Sequence, residues 1–543
     1  MGRGRSTRTL AAALAAAALL AAPAQADAAL RWGDSRTLMK GGFPGSVHID
    51  ARGDVLAIWH RNLGGGTVRD IRTYYAWRAP RGAWTTPREV EASRQAIDFA
   101  VALSPRGRAT AAWHDGHGRI VAVEAQAGGS FDKPDVVASG VSEGRSVRLA
   151  ADDAGNALVA WSDDVDPAAT SGIAVSTRRA GGAWSKPEEL HGGGAGSPAA
   201  VAINPAGAAA VAWMTSVGGH PQVAYRQPAG NFGPAEQPPI EGPVYPFKIA
   251  LDDAGRVHLA APSKFMQTPV RTRLTSRSAL GGWSDMHEFD TGGAPQVLLV
   301  DPDGNVNLFM DNYDVREQPM VQHVVRRPDG TVVGPNTLAL GRYNVDAAMN
   351  LRGDMMAAWD YPPQGAPGPV EAAVKPAGQA AFGPGVPISK PNSVAPVVAL
   401  NDAGQAAVMW AIGGYANPSL QVAVRDDPSL PILPFPPAID IDLPELPEID
   451  ADGDLPIDVL CAVSCKASAR GVLAPGGGAQ LRAGSGKTRK LRAKRRGALT
   501  LDFGSDGADA VRAAGGRATV FVTVRARGKS PRPITVSRRV RLR

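Results

Sequence analysis

The sequence has few aromatic residues and almost no cysteine. Phe, Trp and Tyr make up 6% of its 543 residues, and Cys461 and Cys465 are the only cysteines. The chain contains no Cys/His zinc spacing, no P-loop, no GxGxxG fingerprint and no Ser/His/Asp order. The sequence therefore has no motif for zinc binding, for nucleotide binding or for catalysis by a Ser/His/Asp triad. Beyond the N-terminal region, no apolar run reaches the ~20 residues that a membrane-spanning helix needs.

The first residues have the three parts of an export signal. These are a basic region, an apolar run and a small-residue cleavage site: Arg3, Arg5 and Arg8; residues 10–22; and Ala24-Gln25-Ala26. They predict a secretory signal peptide over residues 1–26, with a mature chain that begins at Asp27. We therefore expect a secreted, extracellular protein, either released or associated with the cell wall.

A repeat organises most of the chain. Eight glycines follow one another at separations of 48 to 54 residues: Gly53, Gly107, Gly155, Gly207, Gly255, Gly304, Gly353 and Gly404. Six residues after the glycine stands Trp59, Trp113, Trp161, Trp213, Trp359 or Trp410, with Ala261 and Met310 in the other two units. A fixed period near 50 is typical of repeat architectures.

Each unit reads as four short strands. An apolar strand leads to an Asp/Asn-rich turn with Gly, a second strand ends at the Trp, and two further strands follow. Four strands in about 50 residues are typical of one propeller blade. The last unit stops after its third strand, Gln421–Arg425, and Leu30–Asp34 can supply the missing fourth strand. We predict an all-β, eight-bladed β-propeller over residues 27–427, closed by this N-terminal outer strand. Seven blades are the alternative, if the unit around Val333 fails to form.

The repeat resembles the blades of known propellers. Val300-Asp301-Pro302-Asp303-Gly304-Asn305-Val306 looks like the turn of NHL-type repeats, and the whole unit is similar to sialidase-type blades. The sialidase Asp-box, Ser-x-Asp-x-Gly-x-Thr-Trp, is matched nowhere. Over roughly residues 30 to 427 the chain thus resembles secreted bacterial β-propeller repeat proteins. That resemblance implies an architecture and carries no function with it.

The composition changes after the last unit. Residues 428–459 hold many prolines and eight acids with no Lys or Arg, which predicts an acidic, Pro-rich linker. Residues 466–543 carry 20 Lys and Arg against three acids, a formal net charge of +17, whereas the rest of the chain is −10.

Alternating apolar positions recur in this basic region, over residues 498–503, 518–524 and 534–537. They predict a small antiparallel, immunoglobulin-like β-sandwich domain over residues 460–543. It resembles basic C-terminal β-modules on secreted actinobacterial proteins. In an oxidising compartment Cys461 and Cys465 are expected to form a small-loop disulfide, with free thiols as the alternative.

Two repeated features have structural interpretations that we favour. The tryptophans recur at one strand position, which indicates packing between adjacent blades more than a ring of sugar platforms. The turn Asp and Asn residues are expected to bond their own backbone. Calcium binding by these turns is the alternative, and no motif supports it, so no cofactor is predicted.

The loops that follow the Trp position are the candidate ligand site. In a propeller these loops share one face with the blade-to-blade connections, so their polar residues would surround one mouth of the channel. The candidates are His60, His114, Asp115, His117, Asp163, Asp164, Asp311, Asp314 and Asp360. Paired carboxylates there could serve acid–base chemistry or hold a metal ion. Exposed loops are also polar without having any function, so this alternative stays open.

A second candidate surface is the basic run of the C-terminal region: Lys487, Arg489, Lys490, Arg492, Lys494, Arg495 and Arg496. Because export favours envelope partners over nucleic acid, we expect it to contact an anionic cell-wall polymer or glycan. Pairing with the acidic linker of the same molecule is the alternative. The leading hypothesis is a monomeric, non-enzymatic secreted binding protein whose propeller face recognises a glycan or a protein. The alternative is a propeller-type glycan hydrolase or lyase with its site on the loop face.

Overall fold

The computed structural model describes most of the chain after the N-terminal region. It describes residues 32–542 except 64–70, 92, 94–96, 142–145, 164–171, 192–194, 216–218, 241–246, 264–269, 313–318, 362–367, 414–417, 426–429, 437–438, 444–446, 476–481, 515–517 and 530–532. The signal peptide predicted for residues 1–26 lies outside this range. The described residues contain no helix long and apolar enough to cross a membrane.

Eight small antiparallel sheets follow one another along the chain and form the blades of a propeller. In every blade but the last, the strand order follows the sequence. The first blades comprise β2 (Gly42–Ile49), β3 (Val55–Asn62), β4 (Ile71–Arg78) and β5 (Arg88–Glu89); β6 (Ile97–Leu103), β7 (Arg108–His114), β8 (Arg119–Gln126) and β9 (Asp135–Ser139); β10 (Val147–Ala151), β11 (Ala157–Asp163), β12 (Gly172–Arg178) and β13 (Glu188–His191); and β14 (Ala195–Ile203), β15 (Ala209–Thr215) and β16 (Pro221–Arg226).

The second half of the ring repeats the arrangement. Its blades comprise β17 (Lys248–Leu251), β18 (Val257–Pro262), β19 (Arg271–Arg277) and β20 (His287–Gly292); β21 (Ala294–Val300), β22 (Val306–Asn312), β23 (Met320–Arg326) and β24 (Val332–Leu340); β25 (Tyr343–Met349), β26 (Met355–Asp360), β27 (Glu371–Lys375) and β28 (Val386–Pro387); and β29 (Ser393–Leu400), β30 (Ala406–Ile412) and β31 (Ser419–Arg425), completed by β1 (Arg36–Lys40). The first strands of neighbouring blades contact each other around the whole ring, so they line its centre.

The eight-bladed prediction is confirmed, including closure by the N-terminal strand. β1 pairs with β31 as the outer strand of the last blade. The closing strand lies six residues later than the predicted segment Leu30–Asp34, of which residues 30–31 lie outside the described part of the chain. Within that segment Gly33 N–H donates to the carbonyl of Val424 at 3.2 Å. The unit around Val333 forms a complete blade, since β24 pairs along β23. The fourth blade is the irregular one: in place of a fourth strand it has isolated bridges such as Val223 to Glu236.

The glycine turns fold for the reason that the sequence suggests. The carboxylate Oδ1 of Asp50 accepts hydrogen bonds from the backbone N–H groups of Arg52, Gly53 and Asp54, each at 2.9 Å. Gly53 has φ of 100°, a left-handed conformation that costs little only without a Cβ. Equivalent bonds form at Asp152, Asn204, Asp252, Asp301, Asn350 and Asn401. The prediction that these side chains bond their own turn is confirmed.

The repeated tryptophans pack between blades, as predicted. All six are at most 1% exposed. Trp213 of the fourth blade, for example, lies in one cluster with Leu158 and Val175 of the third blade. Trp59 joins the first blade to Met409 of the eighth and so closes the ring of apolar contacts. Ala261 and Met310 occupy the same position in the two blades without Trp and pack on the preceding blade in the same way.

The C-terminal region is a separate antiparallel sheet around its own core. Its elements are β32 (Ile439–Asp442), β33 (Asp454–Cys461), β34 (Cys465–Pro475), β35 (Arg482–Ser485), β36 (Arg489–Leu491), β37 (Arg496–Asp502), α1 (Gly504–Ala513), β38 (Ala518–Arg527) and β39 (Ile534–Arg541). The strand order is β32-β33-β37-β35-β34-β38-β39, with β36 on β34. The two outermost strands also contact each other, so the sheet nearly closes into a barrel.

Two features of this domain differ from the sequence prediction. The described strands form one curved sheet rather than two facing sheets, because each strand turns its apolar side toward a single shared core. The acidic stretch is also not only a linker, since β32 lies within residues 428–459 and β33 begins there. Leu455, Ile457 and Val459 alternate with outward residues and enter the core, which is the pattern of a half-buried strand.

Candidate functional site

The two ends of the propeller carry different residues. We call the end with the eight glycine turns the turn face. The opposite end, with the loops between second and third strands and the blade-to-blade connections, is the loop face. The described residues predicted to bind a ligand belong to the loop face. Asp115 and His117 follow the second strand of their blade, and the others lie at or near the end of that strand: His60, His114, Asp163, Asp311 and Asp360.

One position of the first strand carries charge in alternate blades. Four residues before each turn Asp, Asn or Ser stand Ser46, Ala100, Arg148, Ala200, Lys248, Val297, Asp346 and Val397. The charged members belong to the third, fifth and seventh blades, which are not neighbours. Lys248 nevertheless interacts electrostatically with both Asp346 and Arg148, and all three belong to the first strands, which line the centre of the ring. We call Arg148, Lys248 and Asp346 the channel triad.

The channel triad combines two cations with a carboxyl group that holds its proton more strongly than usual. Asp346 Oδ2 accepts the backbone N–H of Val398 in the eighth blade at 2.7 Å. Burial raises the pKa of Asp346 to about 6, against the lowering effects of that bond and of Lys248. Burial likewise lowers the pKa of Lys248. A sequence alignment of the units at the turn residue would have revealed this triad, because the equivalent residue in the other five blades is small or apolar.

Asp311 and Asp360 connect one blade to the next. Asp311 Oδ2 accepts the backbone N–H of Asn344 at 2.7 Å, and Asp360 Oδ2 accepts that of Ala395 at 2.7 Å. Both N–H groups belong to left-handed residues, with φ of 59° and 55°, at bulges in the first strand of the following blade. These bonds thus fix the backbone where the chain enters the next blade. They occupy one oxygen of each of the two predicted ligand residues.

Burial shifts the protonation of these carboxyl groups. It raises the pKa of Asp360 to about 7, with a further contribution from the charge of Asp311. It also raises the pKa of Asp311, although Gln296 donates to Asp311 Oδ1 at 2.7 Å. Asp360 is fully buried, and its Oδ1 has no hydrogen-bond partner among the described residues. Both carboxyl groups thus hold a proton more strongly than usual at the junctions between blades.

The histidines of the first two blades have different environments. His114 is 1% exposed; its Nδ1 accepts the N–H of Gly116 at 3.2 Å, and its Nε2 has no partner in the described part of the chain. His117 is exposed. His60 Nδ1 lies 3.1 Å from Thr73 Oγ1, and its ring meets Phe99 edge-on. Burial lowers the pKa of His60, which favours the neutral ring.

Asp115 closes the short loop between β7 and β8. Its Oδ1 accepts the N–H groups of His117 and Arg119, and its Oδ2 accepts Arg119 Nε at 2.7 Å. Burial raises the pKa of Asp115, but these bonds outweigh it and leave the pKa below the ordinary value. Its described bonds are those of a turn residue.

Three of the predicted ligand residues have no described side chain. Asp164 and Asp314 lie outside the described residues. Asp163 ends β11, and its side chain is likewise outside the described part of the structure. Among the described residues, no group of three or more His, Cys, Asp or Glu is arranged to hold a metal ion.

A charged cluster on the loop face of the seventh blade was not foreseen. Arg342 Nε and Nη2 both donate to the carboxylate of Glu371 at 3.1 Å, and Trp359 Nε1 donates to the same carboxylate at 2.9 Å. The guanidinium lies 3.4 Å from the ring centroid of Tyr361. Burial raises the pKa of Glu371, but the bonds from Arg342 and Trp359 more than offset this and lower it.

The C-terminal domain presents the second candidate surface. The seven predicted cations between Lys487 and Arg496 are all exposed, and they occupy β36, its flanking turns and the start of β37. We call this segment the basic hairpin. Its one ion pair among the described residues joins Arg496 to Asp442 of the acidic stretch. The predicted internal pairing with acids therefore exists, but it reaches one of the seven cations.

Neighbouring strands extend the basic hairpin across the sheet. Lys466 of β34 stands directly opposite Lys490 of β36 on one side and opposite Arg527 of β38 on the other. All three are exposed. Like charges directly opposite one another destabilise a sheet. An external anion would relieve that repulsion.

A disulfide supports the base of the basic hairpin. Cys461 and Cys465 are bonded to each other and are both buried. The N–H of Lys494 donates to the carbonyl of Cys461 at 2.8 Å, which ties the turn before β37 to this bridge. The cationic side chains thus lie on a crosslinked support.

Comparisons with known proteins give little beyond the fold. No family model matches the sequence, and no curated protein matches it. Among solved structures, a fungal alcohol oxidase of the AA5 family in complex with copper has 12% identity and a TM-score of 0.41, covering 94% of this chain and 99% of its own. A PL25 ulvan lyase has 10% identity and a TM-score of 0.38, covering 63% and 96%. An α-L-arabinofuranosidase from Fusarium graminearum has 9% identity and a TM-score of 0.36, covering 61% and 92%. At such values the likeness supports no conclusion about activity.

Proposed function

We propose that this protein is a secreted, non-enzymatic binding protein that attaches to an anionic polymer of the cell envelope through its basic hairpin. The observation that carries the proposal is the exposed cluster of seven cations, extended by the cross-strand row of Lys466, Lys490 and Arg527. Phosphate or carboxylate groups along a polymer would neutralise several of these cations at once and release counterions. The loop face of the propeller then remains available for a glycan or a protein.

The test measures how binding depends on salt and on the basic hairpin. Full-length protein is titrated with poly(glycerol phosphate) and, separately, with polygalacturonate, over a salt series. The test variant replaces Lys487, Lys490 and Lys494 by Gln. Its matched control replaces three exposed lysines of the propeller by Gln: Lys133, Lys186 and Lys390.

We expect the hairpin variant to lose affinity at least tenfold at low salt and the control variant to bind like the natural protein. In nucleic acids each neutralised phosphate contributes about 0.7–0.9 to the slope of log affinity against log salt, so the loss of three contacting cations should lower the slope by about 2 to 3. The polymer that shows this behaviour identifies phosphate or carboxylate as the recognised group. Equal binding by both variants, or salt-independent binding, would refute the proposal.

A second function is favoured by the channel triad. Arg148, Lys248 and Asp346 place two cations and a carboxyl group with a raised pKa in one channel, which are groups that a glycan hydrolase or lyase could use. Incubation with acidic oligosaccharides, followed by chromatography of the products, tests this alternative. Cleavage that Asp346→Asn abolishes would support it. No cleavage, or equal cleavage by the variant, would argue against it.

A further inference from the structure

The C-terminal domain docks on the turn face of the fourth and fifth blades. Ser537 Oγ donates to the carbonyl of Ala206, and Arg539 Nη1 donates to the side chain of Asn231 at 3.1 Å. Arg525 and Asp253 form an ion pair at 3.4 Å. These contacts join β38 and β39 to the edges of two blades, and they leave a space beside them.

That space is a half-open cavity of about 320 Å³ with mainly apolar walls. Leu280 and Pro228 contribute from the propeller side, and Val472 and Phe521 contribute from the C-terminal domain. Leu280 is 52% exposed, an unusual state for a large apolar side chain next to a domain contact. Small-molecule sites are typically apolar clefts of about 300–1,000 Å³ and often lie at domain junctions.

Tyr225 places an unused polar group at this cavity. Its side chain is 6% exposed, and its hydroxyl has no hydrogen-bond partner among the described residues. The Arg277 guanidinium lies 4.6 Å from the ring centroid and holds the ring in place. A Cβ at Gly255 would lie 2.8 Å from the hydroxyl oxygen, so the glycine leaves room for it. The hydroxyl oxygen is shielded from solvent, so a bound molecule reaches it only after a small shift of the cavity wall. A buried phenol without a partner is costly, and a molecule that accepts its proton after that shift would remove the cost.

The rim of the cavity has an excess of positive charge. Arg470 lines it, is exposed, and forms no ion pair with a described carboxylate. Asp253 also lines it, but Arg525 already neutralises that carboxylate. A ligand that enters the apolar space therefore meets a free cation at the entrance.

We propose that this cavity binds a small amphipathic anion, consisting of an apolar ring with an acidic group. The ring would contact Leu280 and Phe521, an acceptor on the ligand would take the Tyr225 hydroxyl proton, and Arg470 would pair with the acidic group. Such a ligand would bridge the propeller and the C-terminal domain. The proposal is independent of the polymer-binding function, because its residues lie apart from the basic hairpin.

The experiment titrates full-length protein with anilinonaphthalene sulfonate, an aromatic anion that fluoresces in apolar surroundings, and measures stoichiometry by calorimetry. We expect one saturable site. Tyr225→Phe and Arg470→Gln should each weaken binding about fivefold, the value of one hydrogen bond or exposed ion contact. Circular dichroism verifies that each variant is folded.

Matched controls separate this site from general surface binding. Tyr75→Phe removes the hydroxyl of another tyrosine, 4% exposed in the first blade. Arg541→Gln removes an exposed cation of β39 that does not line the cavity. Both controls should bind the probe like the natural protein. No saturable binding, unchanged affinity in the Tyr225 and Arg470 variants, or equal weakening by the controls would overturn the proposal.

Discussion

Replacing Asp360 by Asn should make the protein more stable at neutral pH and less sensitive to pH. Asp360 is fully buried at the end of β26, where burial raises its pKa from 3.8 to about 7. Asn keeps the shape of the side chain and an oxygen that can accept the N–H of Ala395. It also removes the charge that the folded protein must bury above pH 7.

The sign of the effect follows from proton binding. Between about pH 4 and pH 7 the folded protein keeps a proton on Asp360 that the unfolded chain releases, so the free energy of unfolding falls as the pH rises. A difference of about three pKa units corresponds to roughly 4 kcal/mol. Asp360→Asn should therefore match the natural protein near pH 4 and exceed its stability by up to about 4 kcal/mol near pH 8.

Urea unfolding, followed by tryptophan fluorescence at a series of pH values, measures this difference. Other groups titrate in the same range, among them Asp50 with a pKa of about 7 and His323 with a pKa of about 4, but both proteins contain them. Asp354→Asn is the matched control. Burial opposes ionisation of Asp354, but bonds from Ala377, Asn350 and Arg352 outweigh it and hold its pKa below the ordinary value, so Asp354 is ionised at neutral pH in the folded protein.

The free energy of unfolding of the control should differ from that of the natural protein by a constant amount above about pH 5. Asp354 of the natural protein is ionised there in both the folded and the unfolded chain, so it contributes no further pH dependence. A difference between Asp360→Asn and the natural protein that does not change with pH would refute the reasoning. Asp360 would then be an ordinary carboxyl group, and its place in the blade junction would need another explanation.

Two further predictions concern packing and crosslinking. Trp213→Ala should destabilise the propeller by about 3–5 kcal/mol in urea unfolding, because it empties a buried space between the third and fourth blades; a loss under 1 kcal/mol would contradict interblade packing. Replacing Cys461 and Cys465 together by Ala should cost about 2 kcal/mol, the loop-closure entropy of a five-residue loop. Calorimetry of the C-terminal domain transition checks this, and an unchanged transition would show that the bridge does not contribute.

The propeller was predictable because each repeat carries its own local signals. A turn such as that at Gly53 needs a left-handed residue and an oxygen acceptor one turn earlier, and both requirements are visible in a few letters of sequence. The Trp position marks the strand that packs on the preceding blade. The strand β33 was also within reach, because Leu455, Ile457 and Val459 alternate, but the many prolines and acids around them favoured a linker.

The partners of the predicted site residues were not predictable from local sequence. Asp311 and Asp360 bond to backbone groups 33 and 35 residues further along the chain, at bulges that no residue type signals. The cavity at Tyr225 depends on how two domains dock; one of the contacts beside it joins residues 331 positions apart. The basic hairpin could be located from sequence, because its charge is a property of one continuous segment. The channel triad could also have been found, by aligning the repeats at their turn residue.

The most direct test of polymer attachment is co-sedimentation with purified cell-envelope material over a salt series. Full-length protein is compared with the variant in which Gln replaces Lys487, Lys490 and Lys494. The account predicts that the natural protein sediments with the envelope, that salt releases it, and that the variant stays in solution. If the variant sediments equally and salt does not release it, the propeller itself carries recognition and the basic hairpin is not the anchor.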